Sequence, residues 1–351
     1  VRKSGRLGKV VKEKQTRGFF VMAKTTTMPT AKTRFTWSPY LTLALVVGVL
    51  ALYPFVFGRY MNLGISILLF AGFALAWDIL GGWTGQNSLG NAAFVGIGAY
   101  SVATLALLGV APWWGMLVGI ALSALIAWGW GAMTFRLRGS YFTLSTIAVA
   151  EILRLVALNE DWLTHGSEGI NLPRLPLLFG FDLFERRVEF YLVLLFVTGL
   201  LLFGLWLKRS KLGYYFRAVR EDEDGAMALG INPTRAKIVA FILVGAFTAI
   251  GGGLWVIFLG RVDPDTTMIV AVSIQIALLA IIGGRGTVYG PLVGAFLIGV
   301  PSEVFRSQLR EANLLVYGIL IVIVIVYLPK GIVGSLEHFF YRRNHPLGEN
   351  K

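Results

Sequence analysis

Cysteine is absent from the 351-residue chain, and only three histidines occur, His165, His338 and His345. The first absence excludes disulfides, thiolate chemistry and cysteine metal sites. The histidines have no second His or acid at ligand spacing on a common helix face, so no metal site is expected. The phosphate-cradling run Gly-x-x-x-x-Gly-Lys-Ser/Thr is also missing. With no nucleophile–base pair evident either, no catalytic residue is assigned and the chain is not expected to be an enzyme. Charge is sparse: Asp, Glu, Lys and Arg together make up 15%, against about 25% in soluble domains.

What is present is apolar. Hydrophobic residues account for 56% and the mean hydropathy is +0.70. Ten apolar segments can be drawn, roughly Leu41–Phe57, Leu63–Leu80, Leu89–Leu108, Trp113–Phe135, Tyr141–Leu158, Phe190–Leu207, Ile238–Leu259, Met268–Ile282, Val288–Phe305 and Leu314–Leu328. Runs of about 20 apolar residues match the hydrocarbon thickness of a bilayer. The expected fold is an all-α integral membrane protein, a polytopic bundle of about ten transmembrane helices. The third, fifth and eighth segments are short or interrupted by glycine, and a re-entrant course is the alternative for them.

The net charge of +13 is distributed as span-orienting charge rather than as a nucleic-acid surface, and no nucleic-acid partner is expected. Ten basic residues precede Thr36, against the single acid Glu13. With ten crossings and a cytoplasmic tail, 24 basic residues fall inside and seven outside, and Arg154 lies within a span. That bias is what the positive-inside rule demands, and it places both termini in the cytoplasm. Residues 1–36 read as a basic, disordered cytoplasmic tail, or as a stretch upstream of a start at Met22 or Met28. No cleavable signal is evident, because the first apolar run continues into a full span. Residues 37–334 form the membrane domain and 335–351 a cytoplasmic tail.

Two hydrophilic connections are long. Residues 159–189 lie outside and carry Glu160, Asp161, Glu168, Asp182, Glu185 and Glu189. Residues 208–237 lie inside. There, Glu221, Asp222, Glu223 and Asp224 open a stretch through Ala226, Met227, Ala228 and Leu229 that stops at Gly230. Acids in a first turn complement the helix dipole, and a glycine after the last apolar residue is a usual stop. Ile231, Asn232, Pro233 and Thr234 then start a second turn or helix. The expectation is two short surface helices around a glycine break.

The segment from Gly81 is rich in small residues, Gly90, Ala92, Ala93, Gly96, Gly98 and Ala99, which let helices approach closely. Gln86, Asn87, Ser88 and Asn91 are uncharged polar groups at its inner mouth. They either cap and pack helices or line a translocation path, since polar backbone at membrane depth survives only within protein or beside water. A fainter echo of Gly81–Gly98 occurs at Gly283–Gly299. Of the charges in or near spans, Glu151 and Arg154 are three residues apart and suited to pairing. Asp78 and Glu303 sit near span ends and are expected to reach the interface.

These motifs carry a family resemblance. Gly82, Gly85, Gln86, Ser88, Leu89, Gly90, Ala92, Phe94, Gly96, Ile97, Gly98, Ala99 and Tyr100 match the hallmark segment of LivM-type permeases of branched-chain amino-acid ABC importers, with Asn91 in place of the usual His. Arg136–Val156, Thr164–Ile170 (His165 standing for a Gly), Gly283–Ala295 and Val316–Gly334 resemble further stretches in the same order. The loop at 221–233 resembles the coupling loop of ABC importer permeases. Glu221, Asp222, Asp224, Ala226, Ala228, Gly230, Ile231 and Pro233 are the candidate residues that dock on an ATPase. The resemblance implies import of branched-chain amino acids, with a second homologous permease, two ABC ATPase subunits that bind ATP and Mg, and an extracytoplasmic solute-binding protein. No cofactor is expected in this chain itself, which would sit in membrane lipid. A urea or short-chain amide permease is the alternative within the family, and an ion-coupled secondary transporter the alternative of another class.

Overall fold

The computed structural model describes residues 39–308 apart from 136, 138 and 174–182. The expected tail at 1–36, the tenth span Leu314–Leu328 and the tail at 335–351 lie outside the described residues. Two compact units divide the chain, Val1–Thr42 and Leu43–Lys351. Of the first, only the opening turn of α1 is described, and the packing that follows concerns the second.

The described chain is helical almost throughout: α1 (Pro39–Ala51), α2 (Met61–Gly81), α3 (Asn91–Leu107), α4 (Pro112–Thr134), α5 (Ser140–Asn159), α6 (Arg186–Arg209), α7 (Lys211–Glu221), α8 (Glu223–Ala228), α9 (Pro233–Leu259), α10 (Pro264–Thr267), α11 (Val270–Gly284) and α12 (Gly290–Gln308). Seven stretches are long and apolar enough to cross a membrane: Pro39–Val56, Gly58–Gly81, Pro112–Thr134, Ser140–Asn159, Arg186–Arg209, Pro233–Leu259 and Pro264–Gly284. The chain is therefore a multi-pass membrane protein. The apolar helices Asn91–Leu107 and Gly290–Pro301 are shorter. At 1.5 Å per residue, α3 reaches about 25 Å against a hydrocarbon core of about 30 Å. The fifth segment forms an unbroken helix of 20 residues, and the eighth forms the single helix α11 from Val270, preceded by the short α10 that ends at Thr267.

One departure from an all-α fold is small. Ile170–Asn171 (β1) pairs antiparallel with Arg261–Val262 (β2), extended by Leu172 N–H donating to the Gly260 carbonyl at 2.9 Å. The turn before β1 explains a sequence feature. His165 has φ 57°, and Gly166 and Gly169 are also positive, so His165 occupies a left-handed position where glycine is unstrained.

α9 packs against α2, α3 and α4, and α2 also contacts α6, α11 and α12. Small residues set those distances. A Cβ on Gly98 of α3 would overlap the Ala249 carbonyl of α9, and one on Gly252 of α9 would overlap the Val95 carbonyl of α3. Helices in lipid associate through such close van der Waals contact, because apolar burial gives them no driving force there. Phe94, Trp130, Phe135 and Phe241 fill the adjoining space with edge-on and tilted ring contacts. α2 forms the centre, with 83% of its apolar window buried, while α5 is peripheral at 22%.

The connections sort into two sets by parity. Those at 82–90, 210–232 and 285–289 bond to one another: Arg220 Nη1 donates to the Gly82 carbonyl at 2.7 Å, and Arg285 Nη1 to Asn87 Oδ1 at 3.2 Å. Those at 160–173, 183–186 and 260–269 meet at the opposite end, where Arg261 Nη2 donates to the Glu168 carbonyl at 2.9 Å and Arg186 Nη1 to the Phe258 carbonyl at 3.0 Å. This alternation is what successive crossings require.

Candidate coupling site and translocation mouth

The loop at 208–237 is more helical than its sequence suggested. Ser210 caps α7, its hydroxyl accepting from Gly213 N–H at 3.1 Å, and α7 buries Phe216 and Val219 on one face. Asp222 ends α7 and caps α8, its carboxylate accepting from Asp224 N–H at 3.1 Å. The helix within the candidate docking stretch is thus Glu223–Ala228, with Gly230 and Ile231 beyond its end. Gly230 has φ 81°. Its N–H donates to the Met227 carbonyl, and Ile231 N–H to the Ala226 carbonyl, which closes the helix with a left-handed glycine. Asn232 Oδ1 accepts from Arg235 N–H at 3.0 Å, and Pro233 takes the first turn of α9. The expected second surface helix is therefore the start of the seventh span itself.

Of the candidate docking residues, Glu221, Asp222, Asp224, Ala228 and Gly230 are exposed, Ile231 is half-buried, and Ala226 and Pro233 are buried. Beside them, Met227 is 49% and Leu229 73% exposed. Leu212, Tyr214, Tyr215, Leu229, Ile231 and Val239 contribute to an adjoining open groove.

Four contacts made by charged side chains tie this loop to the rest of the bundle. Lys237, counted as a loop cation from sequence, is 2% exposed, and its Nζ lies 2.5 Å from Glu223 Oε1. Gln86 Nε2 makes a longer contact, 3.4 Å, with the same carboxylate oxygen. Arg220 reaches Gly82, as described above, and the Arg217 guanidinium lies over the Trp83 ring at 5.9 Å. The sequence signalled none of these pairings, because the partners lie up to 138 residues apart.

The predicted path residues separate. Gln86 is half-buried and Asn87 exposed, whereas Ser88 and Asn91 are buried. Ser88 Oγ accepts from Gly90 N–H at 3.3 Å and its carbonyl accepts from the Trp77 indole at 2.7 Å. Thr146 Oγ1 accepts from Leu89 N–H, and Ser273 Oγ from Ala92 N–H, so helix α3 begins on side-chain acceptors from α5 and α11. Asn91 is 0% exposed, and neither polar atom of its amide has a hydrogen-bond partner among the described residues.

Asp78 does not reach the interface. It is 2% exposed, and both its oxygens accept from Gly286 N–H, at 2.9 and 3.0 Å. A Cβ on Gly82 would overlap Gly286 N. The two glycine turns of the internal echo therefore abut one another, with the Asp78 carboxylate holding the second. The Glu303 side chain lies outside the described residues. Among the described residues, no group of three or more His, Cys, Asp or Glu could hold a metal ion.

Residues 59–325 match the family described as branched-chain amino acid transport system, permease component. The chain is 29% identical over 316 residues to the high-affinity branched-chain amino acid transport system permease protein LivM of Salmonella typhimurium, covering 83% of this chain and 74% of that protein. Identity to the LivM protein of Escherichia coli is 29% over 315 residues, 83% of this chain and 73% of that one. A probable LivH permease of Methanocaldococcus jannaschii is 28% identical over 278 residues, 72% of this chain and 84% of its own length. No solved structure matches. The match spans well over half of the sequence and agrees with the ordered motifs, so the chain belongs to the branched-chain amino acid transport permease family.

Proposed function

We propose that this chain is a permease subunit of an ABC importer that moves branched-chain amino acids into the cytoplasm across the cell inner membrane. In this reading it crosses ten times with both termini cytoplasmic, and the end carrying 82–90, 210–232 and 285–289 faces inward. It pairs with a second, homologous permease. Two separate ATPase subunits bind ATP and Mg and grip α8, and an extracytoplasmic binding protein delivers solute to the opposite end, around 159–189.

The observation that carries the reading is the clasp between α7–α8 and the mouth of α3. Arg220 holds the Gly82 carbonyl at 2.7 Å, and Glu223 binds Lys237 at the base of α9. A push on α8 is thereby delivered both to the turn that positions α3 and to the start of the longest span. Exposed Met227 and Leu229 at the tip of the loop supply an apolar surface for a groove on the motor subunit to cover. In each cycle, closure of the ATPases displaces α8, and the clasp converts that displacement into a change of access at the mouth.

Replacing Gly230 tests the coupling. A Cβ there meets no atom within 4 Å, but φ is 81°, so Gly230→Val strains the turn without a clash, by about 1–2 kcal/mol. Reconstituted with its partners, the variant is expected to hydrolyse ATP while importing little leucine. Undiminished uptake, or a wild-type chain that imports along an ion gradient without any ATPase, would sink the proposal.

A further inference from the structure

An open groove of about 540 Å³ lies between α7 and the start of α9. Leu212, Tyr214 and Tyr215 line it from α7, Arg235 and Val239 from α9, and Ile231 from the turn that links them. Val239 is the seventh residue of α9, about 9 Å beyond the helix start at 1.5 Å per residue. The groove therefore runs from the loop along the first turns of the span Pro233–Leu259. Val239 is 40% exposed there, and Tyr214 and Tyr215 are 57% and 42% exposed. Tyrosines at the end of a span sit at headgroup level, with the ring against acyl chains and the hydroxyl in the polar layer.

Two cations flank the groove. Arg235 lies one turn before Val239 on α9, and Lys211 one turn before Tyr214 and Tyr215 on α7, which puts it on the face of α7 that carries those rings. Both cations are exposed, and neither forms an ion pair among the described residues. Their neighbours are engaged: Lys237 with Glu223, Arg220 with the Gly82 carbonyl and Arg217 with the Lys208 carbonyl. Glu221 stands at the other end of the 11-residue α7, about 15 Å from Lys211. An apolar channel entering the bilayer thus opens between two uncompensated positive charges.

We infer that this groove binds an anionic glycerophospholipid from the leaflet at that end of the bundle. The phosphodiester settles between Lys211 and Arg235, and one acyl chain follows Leu212, Tyr215 and Val239 into the membrane. Basic pockets between spans hold anionic headgroups in this way, and the guanidinium of Arg235 presents paired donors that match a phosphate. The charge pattern favours a lipid over a protein in this groove: the surface offered to a motor subunit is the acidic α8 and its tip, whereas the groove is basic and deepens toward hydrocarbon. The assignment needs only that the chain spans a membrane, and it does not rest on the importer function proposed above.

The test titrates the purified full chain in detergent with phosphatidylglycerol or phosphatidylcholine and counts bound lipid by native mass spectrometry. Wild type is expected to bind phosphatidylglycerol about thirtyfold more tightly, the combined effect of two cations beside an anionic headgroup. Lys211→Gln with Arg235→Gln should lose that preference at an unchanged melting temperature, since both residues are exposed. Val239→Trp fills the groove and keeps both cations, and it should weaken phosphatidylglycerol without abolishing its preference. Arg59→Gln alters an exposed cation at the opposite end of α2 and should bind as wild type does. Equal affinity of wild type for the two lipids would overturn the inference whatever the variants do. So would tight phosphatidylglycerol binding by the double variant, and a double variant that also lost an ATPase partner would mark the groove as a protein contact. An equal loss in Arg59→Gln would reduce the effect to diffuse surface charge and overturn it as well.

Discussion

Lys237 and Glu223 form an ion pair between the base of α9 and the first residue of α8, 2.5 Å apart, with the lysine side chain 3% exposed and the glutamate 31%. The pair fixes α8 to the start of a membrane span. Its energetics are asymmetric, because a buried lysine deprived of its carboxylate keeps the full desolvation cost while losing the attraction.

Glu223→Gln should therefore destabilise the chain more than the double change Glu223→Gln with Lys237→Met. Removing one partner of a buried pair costs about 3–5 kcal/mol, and the part-exposed glutamate lowers the expectation to about 1–3 kcal/mol here. The double variant removes the stranded charge and should recover most of the loss. Thermal unfolding of the purified chain in detergent reads this order directly. Equal stability of the single and double variants would show that the pair is solvated rather than buried.

Asp78 gives a second prediction. Its carboxylate is the acceptor for the Gly286 N–H at the point where the two glycine turns touch. Asp78→Ala leaves that N–H without its acceptor, a cost of about 1–3 kcal/mol. Asp78→Asn retains an acceptor oxygen and should lose less than half as much. Melting temperatures in one detergent, with wild type alongside, give the comparison, and an Asp78→Asn variant as unstable as Asp78→Ala would contradict the assigned hydrogen bond.

Seven of the ten drawn segments coincide with stretches long and apolar enough to cross, and these were legible because a run of apolar residues at bilayer length has few other uses. Glycine punctuation was legible as well: Gly230 ends α8 as its position after the last apolar residue implied, whereas the left-handed turn at His165 was not read from the sequence. The long-range clasps were not. Lys237 looks like any loop cation and Asp78 like any interfacial acid, since burial depends on which distant turn lies opposite. Local pattern likewise failed to separate Gln86 and Asn87, which keep access to the surface, from Ser88 and Asn91, which the neighbouring helices cover. α7 was missed because its apolar positions, Phe216 and Val219, recur over too short a stretch to stand out beside the acids that follow.

Asn91 decides between packing and passage at the start of α3. Its amide is fully buried and has no hydrogen-bond partner among the described residues, in a position where hydrogen-bonding capacity contributes nothing to the packing described. Replacing an unsatisfied buried polar group with an apolar one of similar size removes its desolvation penalty, about 1–3 kcal/mol. Asn91→Leu is therefore expected to raise the melting temperature while Asn91→Ala, which empties the site, lowers it. Import should persist in the leucine variant if the amide is only a packing element, because α3 begins on Ser273 and Thr146 regardless. A stable Asn91→Leu chain that still couples to ATP hydrolysis but passes no solute would place the amide on the path in another access state, where a turn of α3 brings it to water.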